Sequence, residues 1–228
     1  MMGRADAVIF DFDGVIADTR ADVWDSVEYA ANAVGGVMDR EFMEDTSHVA
    51  LPEEELFRHI RPLPPGNLFD VFCSNIKTHY RTMNPFHKTR MYPGLEEIFR
   101  YLAKQGIAWA VVSSKPEPAL KRLVEVKGWE ELMPVCYSLD SVPGADTKQA
   151  VYGYLMEHEL KHRHPVCIGD TWSDIAAARI CGFPAVAVLY GDGDRTALLR
   201  EKPDHTAGDG WELFGVIKEL TLGEAVPY

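Results

Sequence analysis

The sequence predicts an α/β protein in which a parallel sheet is covered on both faces by helices, with a small helical domain inserted after the first strand. Three observations predict it. Short, continuous apolar runs alternate with helical stretches, the pattern of strands buried on both faces. Between about Asp18 and His79 this alternation gives way to helix and loop, with no convincing strand. Acids, hydroxyls and lysines collect just past the ends of the apolar runs, the edge at which open parallel sheets bind ligands.

The elements follow in order. Ala7-Val8-Ile9-Phe10 opens a strand that reaches Phe12. Asp18 to Asp22 has N-cap character, with Thr19 and Asp22 at capping-box spacing. Val23, Trp24, Val27 and Ala31 then recur at helical intervals until Gly35-Gly36 stops the run. Glu53 to Ile60 and Leu68 to Tyr80 predict two more helices, parted by the breaker Pro62-Leu63-Pro64-Pro65-Gly66. After Tyr92-Pro93-Gly94 the alternation resumes. Helices are expected over Leu95 to Lys104, Glu117 to Lys127, Asp146 to Glu159, Ser173 to Ile180 and Leu213 to Leu220. Strands are expected over Ile107 to Val112, near Val135-Cys136-Tyr137, at Val166-Cys167-Ile168 and, as the last clear one, over Ala185 to Leu189. The core is thus expected in 1–16 and 88–228 and the helical insertion in 17–87.

A chain of 228 residues has room for this core and a smaller companion. The apolar fraction of 46% and charged fraction of 25% are those of an ordinary globular protein. The formal net charge of −12, with no Lys/Arg block, argues against non-specific nucleic-acid binding and against attraction to anionic membranes. A few local cations and a metal can still reverse the field inside one pocket, so an anionic metabolite is not excluded. Cys73, Cys136, Cys167 and Cys181 are widely spaced and form no CxxC pair, which predicts reduced structural thiols. No run reaches the roughly 20 apolar residues of a membrane span, and Met1 to Asp6 lead into the first strand without a signal-like segment. A cytoplasmic protein, monomeric or homodimeric, is expected.

Asp11-Phe12-Asp13-Gly14 carries the strongest chemical signal. Two carboxylates two residues apart on an extended backbone lie on the same side. Left unpaired they repel, and one is driven toward its protonated form unless a cation or an arriving phosphate changes the balance. The second strand ends in Ser113-Ser114-Lys115, Lys148 starts a later helix, and Gly169-Asp170-Thr171-Trp172-Ser173-Asp174 follows the fourth strand. Each has a plainer reading. Asp13 before Gly14 suits a turn, Asp170 and Asp174 suit a helix start, Lys148 suits solvent, and Ser113 suits a loop. Their convergence at one sheet edge is what points to chemistry. His162-Arg163-His164 could ligate a metal but is favoured as a polar connection, and Gly191-Asp192-Gly193-Asp194 is too short for a calcium loop and reads as a turn that could lie beside the active site. Arg58, His59, Arg61 and Lys77 of the insertion could meet a substrate anion, but a solvated helical face is the favoured account of each.

In this order and spacing, Asp11-Phe12-Asp13-Gly14, Tyr92-Pro93-Gly94, Val111-Val112-Ser113, Lys148, Gly169-Asp170 with Asp174, and Tyr190-Gly191 resemble the haloacid dehalogenase superfamily (HAD), most closely its phosphoglycolate-phosphatase-like branch with a helical C1-type cap. The resemblance covers essentially the whole chain and implies a three-layer, Rossmann-like core. It further implies a Mg²⁺-dependent phosphatase acting on a small phosphorylated metabolite through an aspartyl-phosphate. Asp11 would be the nucleophile and Asp13 the general acid and base. Asp11, the Asp13 carbonyl and Asp170 would hold Mg²⁺, with Asp174 holding a metal-bound water. Ser113, Ser114 and Lys148 would bind the phosphate. Two positions depart from the common pattern: Gln149 follows Lys148 where many relatives have proline, and Ser114 stands where close relatives often carry asparagine.

Other readings compete. A β-phosphoglucomutase-like phosphomutase needs the same aspartates, but such sequences usually show Ser-Lys-Asn after the second strand, and here Pro116 follows Ser114-Lys115. Dehalogenases and phosphonatases resemble the fold without the second aspartate, so Asp13 argues against both. A catalytically silent binding protein would be expected to have lost one of these positions. Phosphoglycolate, a nucleotide, pyrophosphate and a sugar phosphate all stay open as substrates.

Overall fold

The computed structural model describes residues 4–45, 48–49 and 51–222; the expectation for Met1 to Gly3 lies outside them. The chain divides into two compact units, one running through Asp18 and again from Arg90, the other Thr19–Thr89.

The first unit begins with β1 (Ala7–Phe10), whose four residues are all buried. A short β2 (Ala17–Asp18) pairs antiparallel with β5 (Arg90–Met91), Ala17 opposite Met91. That ladder binds 17–18 and 90–91 to the core, which places the divisions at 18/19 and 89/90 rather than at the expected 16/17 and 87/88.

The second unit carries α1 (Arg20–Ala33), β3 (Val37–Met38), α2 (Arg40–Glu44), α3 (Glu53–Arg58), β4 (Ile60–Arg61) and α4 (Phe69–Thr78), the last continued by one π-type turn, His79–Met83. Its core gathers Trp24, Val27 and Ala31 of α1 with Phe42, Leu56, Phe57, Ile60 and Phe72. Two expectations fail here. β3 and β4 pair antiparallel, so the segment is not strand-free; with only two residues each, neither leaves an alternation to read. Nor do Thr19 and Asp22 form a capping box: the Thr19 side chain makes no capping bond. Buried Asp22 instead accepts from the Thr89 amide at 2.6 Å and the Thr89 hydroxyl at 2.7 Å. The four basic side chains singled out in this unit lie against its own acids, Arg58 and His59 at Glu55, Arg61 at Asp39 and Lys77 at Glu53.

The first unit then continues with α5 (Leu95–Gln105), β6 (Ala108–Ser113), α6 (Glu117–Lys127), β7 (Cys136–Ser138), α7 (Lys148–His158), β8 (Pro165–Gly169), α8 (Trp172–Ile180), β9 (Ala185–Val188), α9 (Arg195–Arg200), β10 (His205–Ala207) and α10 (Gly210–Leu222). Six strands form one sheet in the order β10-β9-β8-β1-β6-β7, every neighbouring pair parallel. β1 lies between β8 and β6, with Phe10 in register with Ile168 and Val111. Its side chains alternate between faces. Ala7 and Ile9 join Val151, Tyr152 and Leu155 of α7 and Ile175 of α8, whereas Phe10 meets Phe99 of α5 edge-on at 5.4 Å. α5 packs on α10, and α8 packs on both α7 and α9. The unit is therefore a three-layer, Rossmann-like α/β fold. β10 and α9 extend it beyond the last strand expected from the sequence. Among the described residues, no helix is long and apolar enough to cross a membrane.

Candidate active site

Because β1, β6 and β8 are adjacent and parallel, the residues that follow them emerge at one edge of the sheet. Asp11 continues the ladder, its amide donating to the Ile168 carbonyl at 2.9 Å. Beyond it the chain turns sharply. Ile16 N donates back to Phe12 O at 2.9 Å, and Gly14 takes φ +75°, a conformation that penalises any Cβ.

Four of the expected residues, Asp11, Lys148, Asp170 and Asp174, meet at this edge. Lys148, the first residue of α7, is buried, and its ammonium lies 2.8 Å from Asp11 Oδ1. The same ammonium bonds Asp174 Oδ1. Asp11, Asp170 and Asp174 each offer an oxygen within 4.8 Å of the others. Ser113 ends β6, its hydroxyl accepting the Lys115 amide at 3.0 Å. That bond shapes the loop beyond β6 and leaves the hydroxyl hydrogen to point elsewhere. Asp13 is partly exposed, unlike buried Asp11. Ser114 lines a surface cavity of about 370 Å³ with Lys148 and Trp172.

The two acids after β8 divide their work. Thr171 is the N-cap of α8, and its amide and hydroxyl both donate to Asp174 Oδ2, at 3.0 and 2.6 Å. Asp174 is therefore the capping-box acid of the plainer reading and the anchor of Lys148 at once, with both oxygens engaged. Asp170 differs. Its Oδ2 accepts the Asp192 amide at 2.7 Å and the Gly193 amide at 3.2 Å, whereas its buried Oδ1 has no hydrogen-bond partner.

Electrostatics sharpen the difference. Burial raises the Asp11 carboxyl well above its usual range; Lys148 opposes this, while Asp174 and Asp170 add to it. Burial, then the Asp174 charge, pushes Asp170 up to about 7 despite the Asp192 amide. Burial works against the charge of Lys148, but Asp11 and Asp174 outweigh it and raise its pKa. One ammonium shared by two carboxylates cannot neutralise three. The cluster is short of positive charge at the place where Asp170 Oδ1 lacks a donor, which is the donor set a hard cation requires.

Three contacts escaped the sequence, although the residues that make them were in view. Lys115 is 6% exposed and its ammonium lies 3.1 Å from Asp13 Oδ1. The Asp192 and Gly193 amides bind Asp170, and the Gly-Asp-Gly-Asp composition signalled the turn without its target. Tyr190 donates to the Val15 carbonyl at 2.9 Å, tying the turn after β1 to the segment after β9. Asp194 caps α9, accepting from the Thr196 and Ala197 amides. His162-Arg163-His164 holds to the connection before β8, where the His164 amide donates to Asp6 Oδ1 at 2.6 Å.

Comparison with known proteins agrees with this architecture. The chain is 27% identical over 216 residues to a phosphoglycolate phosphatase of Agrobacterium fabrum, covering 88% of this chain and 87% of that one. It is 22% identical over 207 residues to a 5'-nucleotidase of Pseudomonas aeruginosa, covering 89% and 90%. A crystal structure from Clostridium difficile superposes with a TM-score of 0.82 at 19% identity, covering 95% of this chain and all of that one. The family model described as haloacid dehalogenase-like hydrolase matches residues 8–188, most of the chain, and the protein therefore belongs to that family.

Proposed function

We propose that this protein is a Mg²⁺-dependent phosphatase that cleaves small phosphorylated metabolites through an aspartyl-phosphate on Asp11. The observation that carries the reading is the buried Asp11–Lys148–Asp174 network beside Asp170, whose Oδ1 has no protein partner. Similarity to proteins named as a phosphoglycolate phosphatase and a 5'-nucleotidase supports phosphate-ester hydrolysis.

The donor set fits the metal. Asp11, Asp170 and the Asp13 carbonyl are hard oxygen donors suited to Mg²⁺, and Asp174, with both oxygens engaged, would hold a metal-bound water. Bound there, Mg²⁺ would neutralise the approach of an anionic nucleophile to an anionic phosphate. The chain's own residues do the rest. Lys148 orients Asp11 and, with the Ser113 hydroxyl and the Ser114 amide, would hold phosphate oxygens. An Asp11 oxygen attacks phosphorus as the bond from phosphorus to the leaving oxygen breaks, and Asp13 gives that oxygen its proton. Asp13, now a carboxylate, takes a proton from water as the water attacks phosphorus and releases Asp11 and inorganic phosphate. Asp13 is suited to this exchange because it is the more exposed carboxylate of the pair.

A panel of phosphate esters tests the reading. Phosphate release should require Mg²⁺, stop with chelator, and fall at least about a thousandfold in Asp11→Asn. Release from no ester, or undiminished activity in D11N, contradicts it.

A further inference from the structure

Val15 is wholly buried, and its carbonyl is satisfied differently from those of its neighbours in the turn after β1. Phe12 O accepts the Ile16 and Ala17 amides, Ala17 O accepts the Gly14 amide, and Ile16 O accepts the Tyr92 amide at 3.0 Å. Val15 O is met by a side chain instead, the Tyr190 hydroxyl at 2.9 Å. The phenol is placed for this. Its ring packs on that of Tyr92, with centroids 4.7 Å apart, and burial raises its pKa, so it stays a neutral donor. Asp13 lies inside this turn, between the Phe12 carbonyl that accepts from Ala17 and the Gly14 amide that donates back to it. Asp11 is held separately, by its ladder bond to Ile168 and by Lys148. Asp170 is held by the Asp192 and Gly193 amides. Asp13 is thus the aspartate of these three whose turn is completed by a hydroxyl from beyond β9.

Resting on the phosphatase reading, we propose that Tyr190 is a positioning residue for proton transfer: by holding the Val15 carbonyl it fixes the turn from which Asp13 reaches the leaving oxygen. A buried carbonyl stripped of its donor costs about 1–3 kcal/mol. In Y190F the Val15 peptide therefore turns toward another donor or admits a water, and the turn shifts with it. A shift of about an ångström is enough to slow a positioned reaction about a hundredfold. The loss falls on particular steps. As an Asp11 oxygen bonds phosphorus, the bond from phosphorus to the leaving oxygen breaks, and an alkoxide departs only with the proton of Asp13. A leaving group stable as an anion, such as 4-nitrophenolate, keeps the bonding electron pair without that proton. In the second step every ester needs Asp13, as the carboxylate that takes a proton from the attacking water.

The test compares the wild-type protein with Y190F on ethyl phosphate and 4-nitrophenyl phosphate, both with Mg²⁺. The kcat/KM for ethyl phosphate should fall at least about tenfold more than that for 4-nitrophenyl phosphate. On 4-nitrophenyl phosphate itself, kcat should fall more than kcat/KM, because formation of the phosphorylated protein is spared and its hydrolysis is not, so KM falls as well. The two esters are read on one preparation, so an inactive fraction cancels in their ratio, and Y190L, which also lacks the hydroxyl, is read in parallel. Mg²⁺ affinity, measured by calorimetry, should stay within about threefold of wild type, because the Asp192 and Gly193 amides still hold Asp170. Equal losses on both esters in Y190F and Y190L, or no loss on either, overturn the proposal, for a residue that only supports the fold slows all esters alike. A fall in Mg²⁺ affinity with the ester ratio unchanged also overturns it, and assigns Tyr190 to Asp170 instead. Release from neither ester and from no other would instead overturn the phosphatase reading on which it rests.

Discussion

A buried carboxylate with one oxygen unpartnered is costly as an anion, and Asp170 is held in that state by its neighbours. The Asp192 and Gly193 amides satisfy Oδ2, and Gly191 packs so closely that a Cβ there would lie 2.5 Å from Oδ2 and 2.6 Å from the Gly14 carbonyl. Gly191→Ala must therefore displace Asp170. The variant should remain folded yet lose at least about a hundredfold in Mg²⁺-dependent turnover, since misplacement by an ångström is that expensive. A substrate-saturated rate equal to wild type would refute this role. At this scale the sequence is legible where a residue's partner is the backbone that follows it, as for the turn at Gly14, whose amide donates to the Ala17 carbonyl at 3.1 Å. It is opaque where the partner arrives from another strand. Nothing near Lys115 announces that it meets Asp13, because that contact depends on β6 lying beside β1.

Elements were readable in proportion to their apolar content. β1, β8 and β9 are buried throughout and β6 over its last four residues, and all four are apolar runs that alternate with helical stretches, which is what makes them legible. β10, His-Thr-Ala at the sheet edge, buries only Ala207 and carries no such run. Asp22 shows how capping spacing misleads: the same acid spacing serves a long-range bond when the returning chain supplies better donors. Its carboxylate accepts from Thr89 twice, and its carbonyl accepts from buried Asn84 at 2.6 Å. Asp22→Ala leaves the Thr89 donors without that acceptor and should cost about 3 kcal/mol of stability. Denaturant unfolding of the purified variant checks this, and a loss below about 0.5 kcal/mol would mean that water replaces the carboxylate freely.

For the whole molecule, a net charge of −12 coexists with a site that must admit anions. The local answer is the pair of lysines with buried side chains, Lys148 and Lys115, which a cation held at Asp170 would complete. This makes stability depend on pH in a defined sense. Without metal, the folded chain raises Asp170 from 3.8 to about 7, so the folded state keeps a proton that the unfolded state has lost across that interval. The corresponding stability is present below the unfolded value and is lost as pH rises through the folded one. Mg²⁺ bound at Asp170, as the proposed function requires, would take the place of that proton. The rise in Tm on adding Mg²⁺ should therefore be larger at about pH 8 than at about pH 5.5. An equal rise at both would remove Asp170 from the metal site. The Rossmann-like class was legible at this scale because alternation of buried runs and helices permits few other arrangements. The two-residue ladders and the exact divisions between the units were not, since each rests on pairing between distant segments.

In the proposed reaction Asp11 carries the phosphoryl group during turnover. Acid-quenched reactions with a turned-over ester, digested and analysed by mass spectrometry, test it directly. One added phosphoryl group is expected on the peptide containing Asp11, absent in Asp11→Asn and absent without Mg²⁺. A phosphoryl group on a different residue, or Mg²⁺-dependent phosphate release that persists in D11N, would contradict it.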